Sequence, residues 1–182
     1  MKNLPRLWSL VVTRFCVLRR IFVPCLFLSC FCAEADTNIE KELKAAYLVH
    51  LVKFVSWSEP VETGKVWLCF NSLSPIAKFE GSIRQRSVGN GRVAEVLLDP
   101  AQLNDCDLLF WDEAANRATP GLLASAHPGL LVVTDIAGGF GKGAVQFFSR
   151  DLKLRFAVNE AVLDKASFQI SSKLLRLARE LN

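Results

Sequence analysis

The chain has 182 residues, with 22 Lys and Arg against 18 Asp and Glu and 51% hydrophobic residues, a length that suits one domain with its own core rather than a multi-domain array. Five of the basic residues and one acidic residue fall within residues 1–35, so the formal charge of +4 belongs to that segment and the 147 residues after it carry 17 of each sign. A neutral domain lacks the electrostatic footprint of phosphate-backbone binding, which excludes nucleic acid as the expected partner.

Lys2, Arg6, Arg14, Arg19 and Arg20 precede an apolar run from Ile21 to Cys32 and then Ala33-Glu34-Ala35, the layout of an export signal cleaved after Ala35. The run is about 12 residues against the roughly 20 that span a hydrocarbon core, and polar residues follow at once. A retained membrane helix is therefore the weaker alternative. Acylation of Cys30 is weaker too, because Phe27 sits where such sites hold a small aliphatic residue. Four of the six cysteines lie in the first 32 residues, leaving Cys69 and Cys106. In an oxidising compartment such a pair is expected to form a disulfide rather than a metal site, with two buried free thiols as the competing reading. The loop-entropy model gives a bridge of this span about 3 to 4 kcal/mol.

Beyond Ala35 the elements alternate. Asn38 reads as the cap of a helix starting at Ile39, and the run Ala45 to Trp57, interrupted only by His50, Lys53 and Ser56, must be covered on most sides. Lys65 to Phe70 reads as a strand. Ser74-Pro75 opens a helix to about Arg84, Gly89-Asn90-Gly91 is a turn, and Arg92 to Leu98 is a second strand ended by Asp99-Pro100. Asp107 to Trp111 and Leu130 to Ile136 are continuous apolar runs that suit interior strands, with a short helix from Thr119-Pro120 to Ala126 between them. Ala144 to Arg150 and Leu152 to Asn159 read as an antiparallel pair. Short helices over Asn159 to Lys165 and Ser171 to Glu180 close the chain, the latter capped by Ser171 or Ser172. The expected fold is a single α/β domain, a mixed sheet flanked by helices, with a long N-terminal and a C-terminal helix.

Catalytic patterns are scarce. Gly138-Gly139-Phe140-Gly141-Lys142-Gly143 lacks the P-loop register, since Ile136 stands at the first Gly position and Gly143 replaces the hydroxyl, so an inter-strand loop is expected. His50 reads as a core or rim residue and His127 as a solvated turn residue. No spacing supplies a zinc set. Asp105, Asp107, Asp112 and Glu113 sit near a strand, where doubly wound sheets place ligands, yet adjacent strand residues face opposite sides and loop solvation is the simpler account. No nucleophile elbow is present. No catalytic, metal or cofactor residue is assigned. Phe140, Phe147, Phe148, Phe156 and Phe168 crowd 29 residues. Burial beneath helices is the favoured reading and contact with a protein partner the sharper one.

Three stretches resemble one known family. Lys44-Ala45-Ala46-Tyr47-Leu48 with Lys53-Phe54-Val55-Ser56-Trp57 is similar to its opening helix, Leu68-Cys69 and Asp105 to Phe110 to its two cysteine strands, and Ile170 to Ala178 to its closing helix. On these residues the chain resembles the YfiR family of periplasmic proteins. The resemblance implies a non-catalytic repressor that binds the periplasmic sensor part of an inner-membrane GGDEF diguanylate cyclase and lowers cyclic-di-GMP. It implies pairing of Cys69 with Cys106, whereas the second cysteine pair of some members is absent here. Ser58 stands where the family usually has Pro. On this reading the partner contact is expected on the late strands and closing helix, with Val145, Phe147, Phe156 and Leu174 as candidates. Another membrane sensor such as a histidine kinase, or a small-solute module built on the loops after Trp111 and Ile136, is the alternative, and homodimerisation is left open.

Overall fold

A computed structural model describes residues 32–58 and 64–181. The chain divides into two units, residues 1–39 and 40–182. Residues 1–31, which hold Cys30 and most of the expected export signal, lie outside the described residues, while the expected cleavage site at Ala35 falls within the first helix. Helix α1 (Cys32–Val52) runs through Asn38, so that residue is interior to the helix rather than its cap. Among the described residues no helix is long and apolar enough to cross a membrane.

The second unit is α/β. A first strand, β1 (Val55–Trp57), follows α1 after a turn in which Lys53 N–H donates to the His50 carbonyl and Phe54 N–H to that of Leu51. It pairs antiparallel with β9 (Phe168–Ile170). The continuous apolar run that reads as one helix to Trp57 thus serves a helix and then a strand; apolar continuity does not mark where one gives way to the other. Strands β2 (Lys65–Phe70), β3 (Ser87–Gly89), β4 (Arg92–Leu98), β5 (Leu108–Trp111), β6 (Leu131–Thr134), β7 (Val145–Arg150) and β8 (Lys153–Val158) form the main sheet. Its order is β3-β4-β2-β5-β6-β7-β8. The five inner strands are parallel, and β3 and β8 add antiparallel edges.

Within that sheet β2 lies between β4 and β5, so the crossover direction reverses between β2 and β5. Open α/β sheets form their crevice at such a reversal, outside the carboxyl ends of the strands. Alternation along the strands makes two apolar layers. Leu68, Phe70, Leu108, Phe110, Leu131, Val133, Val145 and Phe147 face α1 and the closing helix α5 (Ser172–Leu181). Cys69, Leu109, Trp111 and Val132 form the opposite layer with Ala115 of α3 (Glu113–Ala118).

The remaining elements differ from expectation mainly in length. The segment after Ser74-Pro75 becomes a 3₁₀ turn, Ala77–Phe79, continued by α2 (Glu80–Ile83). Helix α3 starts at Glu113 because Asp112 caps it, and Thr119 ends it; only a 3₁₀ turn, Leu122–Ser125, follows Pro120. Helix α4 (Glu160–Leu163) lies inside its expected range, and Ser171 precedes α5 with its hydroxyl 3.4 Å from the Leu174 amide.

Candidate functional site

The cysteines are bonded. Cys69 sits on β2 opposite Leu109 of β5, and Cys106 ends the 3₁₀ turn Leu103–Asp105 just before β5, with the two Cα atoms 5.8 Å apart. Both cysteines are buried among Leu103, Leu109, Trp111 and Val132. A reductant reaches neither sulfur unless that layer opens, which makes the bridge a staple between the connection and the sheet.

The strand-end acids also hold structure. Asp112 is buried; its Oδ1 accepts from the Ala115 amide at 2.9 Å and its Oδ2 from the Ser74 hydroxyl at 2.5 Å. One carboxylate therefore caps α3 and ties the loop after β2 to β5, filling two acceptor positions of a charged group that would be costly to bury unsatisfied. Asp107 accepts from the Trp67 amide at 2.8 Å. Burial pushes its carboxyl above the usual range, more strongly than the Trp67 bond and the neighbouring Arg92 and His127 draw it down. Asp105 and Glu113 are exposed.

Around the reversal point, Asn71, Asp99, Leu109, Trp111, Thr119 and Leu122 line a cavity of about 40 Å³. That holds a water molecule rather than an organic solute. At that strand end, where the solute module was expected after Trp111, this recess is water-sized. The Gly-rich loop bonds to itself, with Gly139 N–H donating to Ile136 and Lys142 N–H to Gly139. Gly143 is needed for close approach, since a Cβ there would lie 3.1 Å from the Val132 carbonyl. His127 is half-buried, its Nε2 3.3 Å from the Leu103 carbonyl oxygen, and His50 is exposed on α1.

Val145, Phe147, Phe156 and Leu174 all lie in the core. Phe147 meets the Tyr47 ring edge-on at 6.1 Å and the Phe110 ring at 6.3 Å. A contact residue must show its side chain, and none of the four does. Phe148, on the other face of β7, is half-buried. What the late strands do expose is the tip of their hairpin: Leu152 is fully accessible, and Asp151 and Leu152 take φ of +52° and +58°. Alternation starts the second strand at Leu152, whereas β8 starts at Lys153 and Leu152 falls in the turn. The signal that existed was Leu in a turn pair, where Asn, Asp or Gly is usual.

Below the tip, Lys44 of α1 is held 2.7 Å from Asp135 and 3.0 Å from Glu40. Burial works against the ammonium, but the bonds to Asp135 and Glu40 outweigh it and raise the Lys44 pKa. Glu40 is held below its usual range, chiefly by Lys44, with the Ser149 side chain of β7 adding to it.

Sheet order, buried cross-link and structural strand-end acids define a disulfide-stapled, doubly wound α/β domain with an opening and a closing helix on one face. The chain belongs to the YfiR/HmsC-like family, whose profile matches residues 41–179 and so takes in both helices and both cysteines. This is a family of periplasmic regulatory proteins. No curated protein matches the chain.

Proposed function

We propose that the protein is exported after cleavage near Ala35 and acts without catalysis, binding the periplasmic part of an inner-membrane GGDEF diguanylate cyclase and holding it inactive. The observation that carries this reading is the family match across residues 41–179. Repression of this kind needs only tighter binding to one sensor conformation. About 5.5 kcal/mol of differential affinity takes a two-state sensor from almost wholly active to almost wholly inactive.

The contact is assigned to the β7–β8 hairpin tip, where Leu152 offers an exposed apolar anchor between Arg150 and Lys153. Val145, Phe147, Phe156 and Leu174 enter as the residues beneath that surface, which act by holding its shape. The test is cross-linking from position 152 in the native envelope. Recovery of an inner-membrane protein carrying a GGDEF domain is the expected result. Recovery of a membrane histidine kinase would replace the cyclase with the alternative sensor, and no cross-link from this position would remove the hairpin assignment.

A further inference from the structure

A groove of about 240 Å³ runs between α1 and the segment joining α2 to β3. Its apolar lining is Ala46, which is exposed, and Val49, which keeps a small accessible edge, with Ala45 buried beneath them. Its lining includes His50 and Lys53, from the last turn of α1 and the residue after it, and Arg86 and Ser87 from the segment leading into β3. Glu42, two turns earlier on α1, is the one acidic residue along the lining.

The charges nearby are handled differently. Lys44 has Glu40 and Asp135, Arg84 has Glu80 and Glu95, and Lys65 has Glu95 within salt-bridge distance. Lys53 and Arg86 have no carboxylate partner among the described residues. Arg86 is nevertheless held in place, because its Nε donates to the Ser82 carbonyl at 2.9 Å. That bond occupies Nε and leaves the terminal N–H fork to others, a donor set that suits two oxygens of one carboxylate or phosphate. Two like charges facing one recess repel each other, and an anion between them converts that repulsion into attraction.

We infer that this groove is a binding site for a small organic anion, a carboxylate or phosphate monoester with a short apolar body. Its charged head lies between Lys53 and Arg86, and its apolar part lies on Ala46 and the accessible edge of Val49. Both positions are exposed, so their substitution leaves the core untouched, and the site stands independently of the cyclase assignment.

The probes are phenyl phosphate, benzoate and inorganic phosphate, titrated into the isotope-labelled protein while backbone amide resonances are followed. Phenyl phosphate or benzoate, whichever head group the site prefers, should shift the amides of Val49 to Lys53 and Ser82 to Ser87 saturably, with a dissociation constant on the order of 1 mM. Lys53→Ala and Arg86→Ala should each weaken that binding about tenfold. Lys173→Ala, an exposed lysine on α5, should leave it unchanged. Inorganic phosphate should bind more weakly than phenyl phosphate. The inference fails if neither organic anion saturates, or if binding survives both groove substitutions with the fold intact. Equal affinity for phenyl and inorganic phosphate would overturn the role given to the apolar lining.

Discussion

Two hairpins of the main sheet reverse through two-residue turns with positive φ at both positions, built from very different residues. Between β3 and β4 the turn is Asn90-Gly91, with φ of +52° and +72°. Between β7 and β8 it is Asp151-Leu152, with φ of +52° and +58°. The first pair is what a two-residue turn with positive φ at both positions favours, since Gly has no Cβ to clash and Asn tolerates the left-handed region. The second places a γ-branched apolar residue there, at about 1 to 2 kcal/mol relative to a right-handed conformation, and shows the whole side chain to water. Folding explains Asn90-Gly91. It does not explain Leu152, which is why the second hairpin and not the first is assigned to a partner.

That contrast can be broken at its root or at its tip. The largest effect is expected from Phe147→Ala in β7, about 3 to 5 kcal/mol in denaturant unfolding, because the ring is buried against Tyr47 and Phe110. Any loss of partner binding in this variant should follow the loss of folded protein; full folding with lost binding would make Phe147 a contact residue after all. Replacing Cys69 and Cys106 together by Ala should cost roughly 3 to 4 kcal/mol by the same measurement, on a loop-entropy estimate. Since the bridge is buried, mild reductant should leave both it and partner binding unaffected while the domain stays folded.

Exchanging the turns gives smaller effects of opposite sign. Gly91→Leu should destabilise by about 1 to 2 kcal/mol, since it puts a side chain at φ +72°. Leu152→Gly should raise stability by up to about 1 kcal/mol, while partner affinity falls. Equal responses of the two turns in thermal unfolding would erase the distinction between them.

The smallest effect is a pH dependence at the base of the second hairpin. Glu40 is depressed in the folded state, so what it contributes is present above its unfolded pKa and is lost as pH falls through the lower folded value. Lys44 is raised, so its contribution is complete below its unfolded pKa and disappears as pH rises through the folded one. The stability difference between the wild type and Lys44→Met should therefore be broad and flat near neutrality and shrink at both extremes.

The two hairpins also mark how far the sequence could be read. The inner strands β2, β4, β5 and β6 are visible as apolar or alternating runs because burial on both faces leaves that pattern. Three-residue strands such as β3 and β9 leave too few residues to show a period, and each exists through its partner. The cysteine pairing was legible from compartment and from family likeness. The tie made by Asp112 was not, because its second oxygen bonds Ser74 across 38 residues of sequence. Late aromatic excess drew the partner contact onto Phe147 and Phe156, but alternation in β7 and β8 turns both inward, and the apolar residue exposed between them is Leu152.

The most direct measurement is intracellular cyclic-di-GMP in cells lacking the chain and then supplied with wild type or Leu152→Gly at matched levels. Loss of the chain should raise the nucleotide, the wild type should lower it again, and Leu152→Gly should fail to do so despite folding at least as stably. Cyclic-di-GMP that ignores the chain would contradict the repressor reading, and full repression by Leu152→Gly would contradict the hairpin as its point of contact.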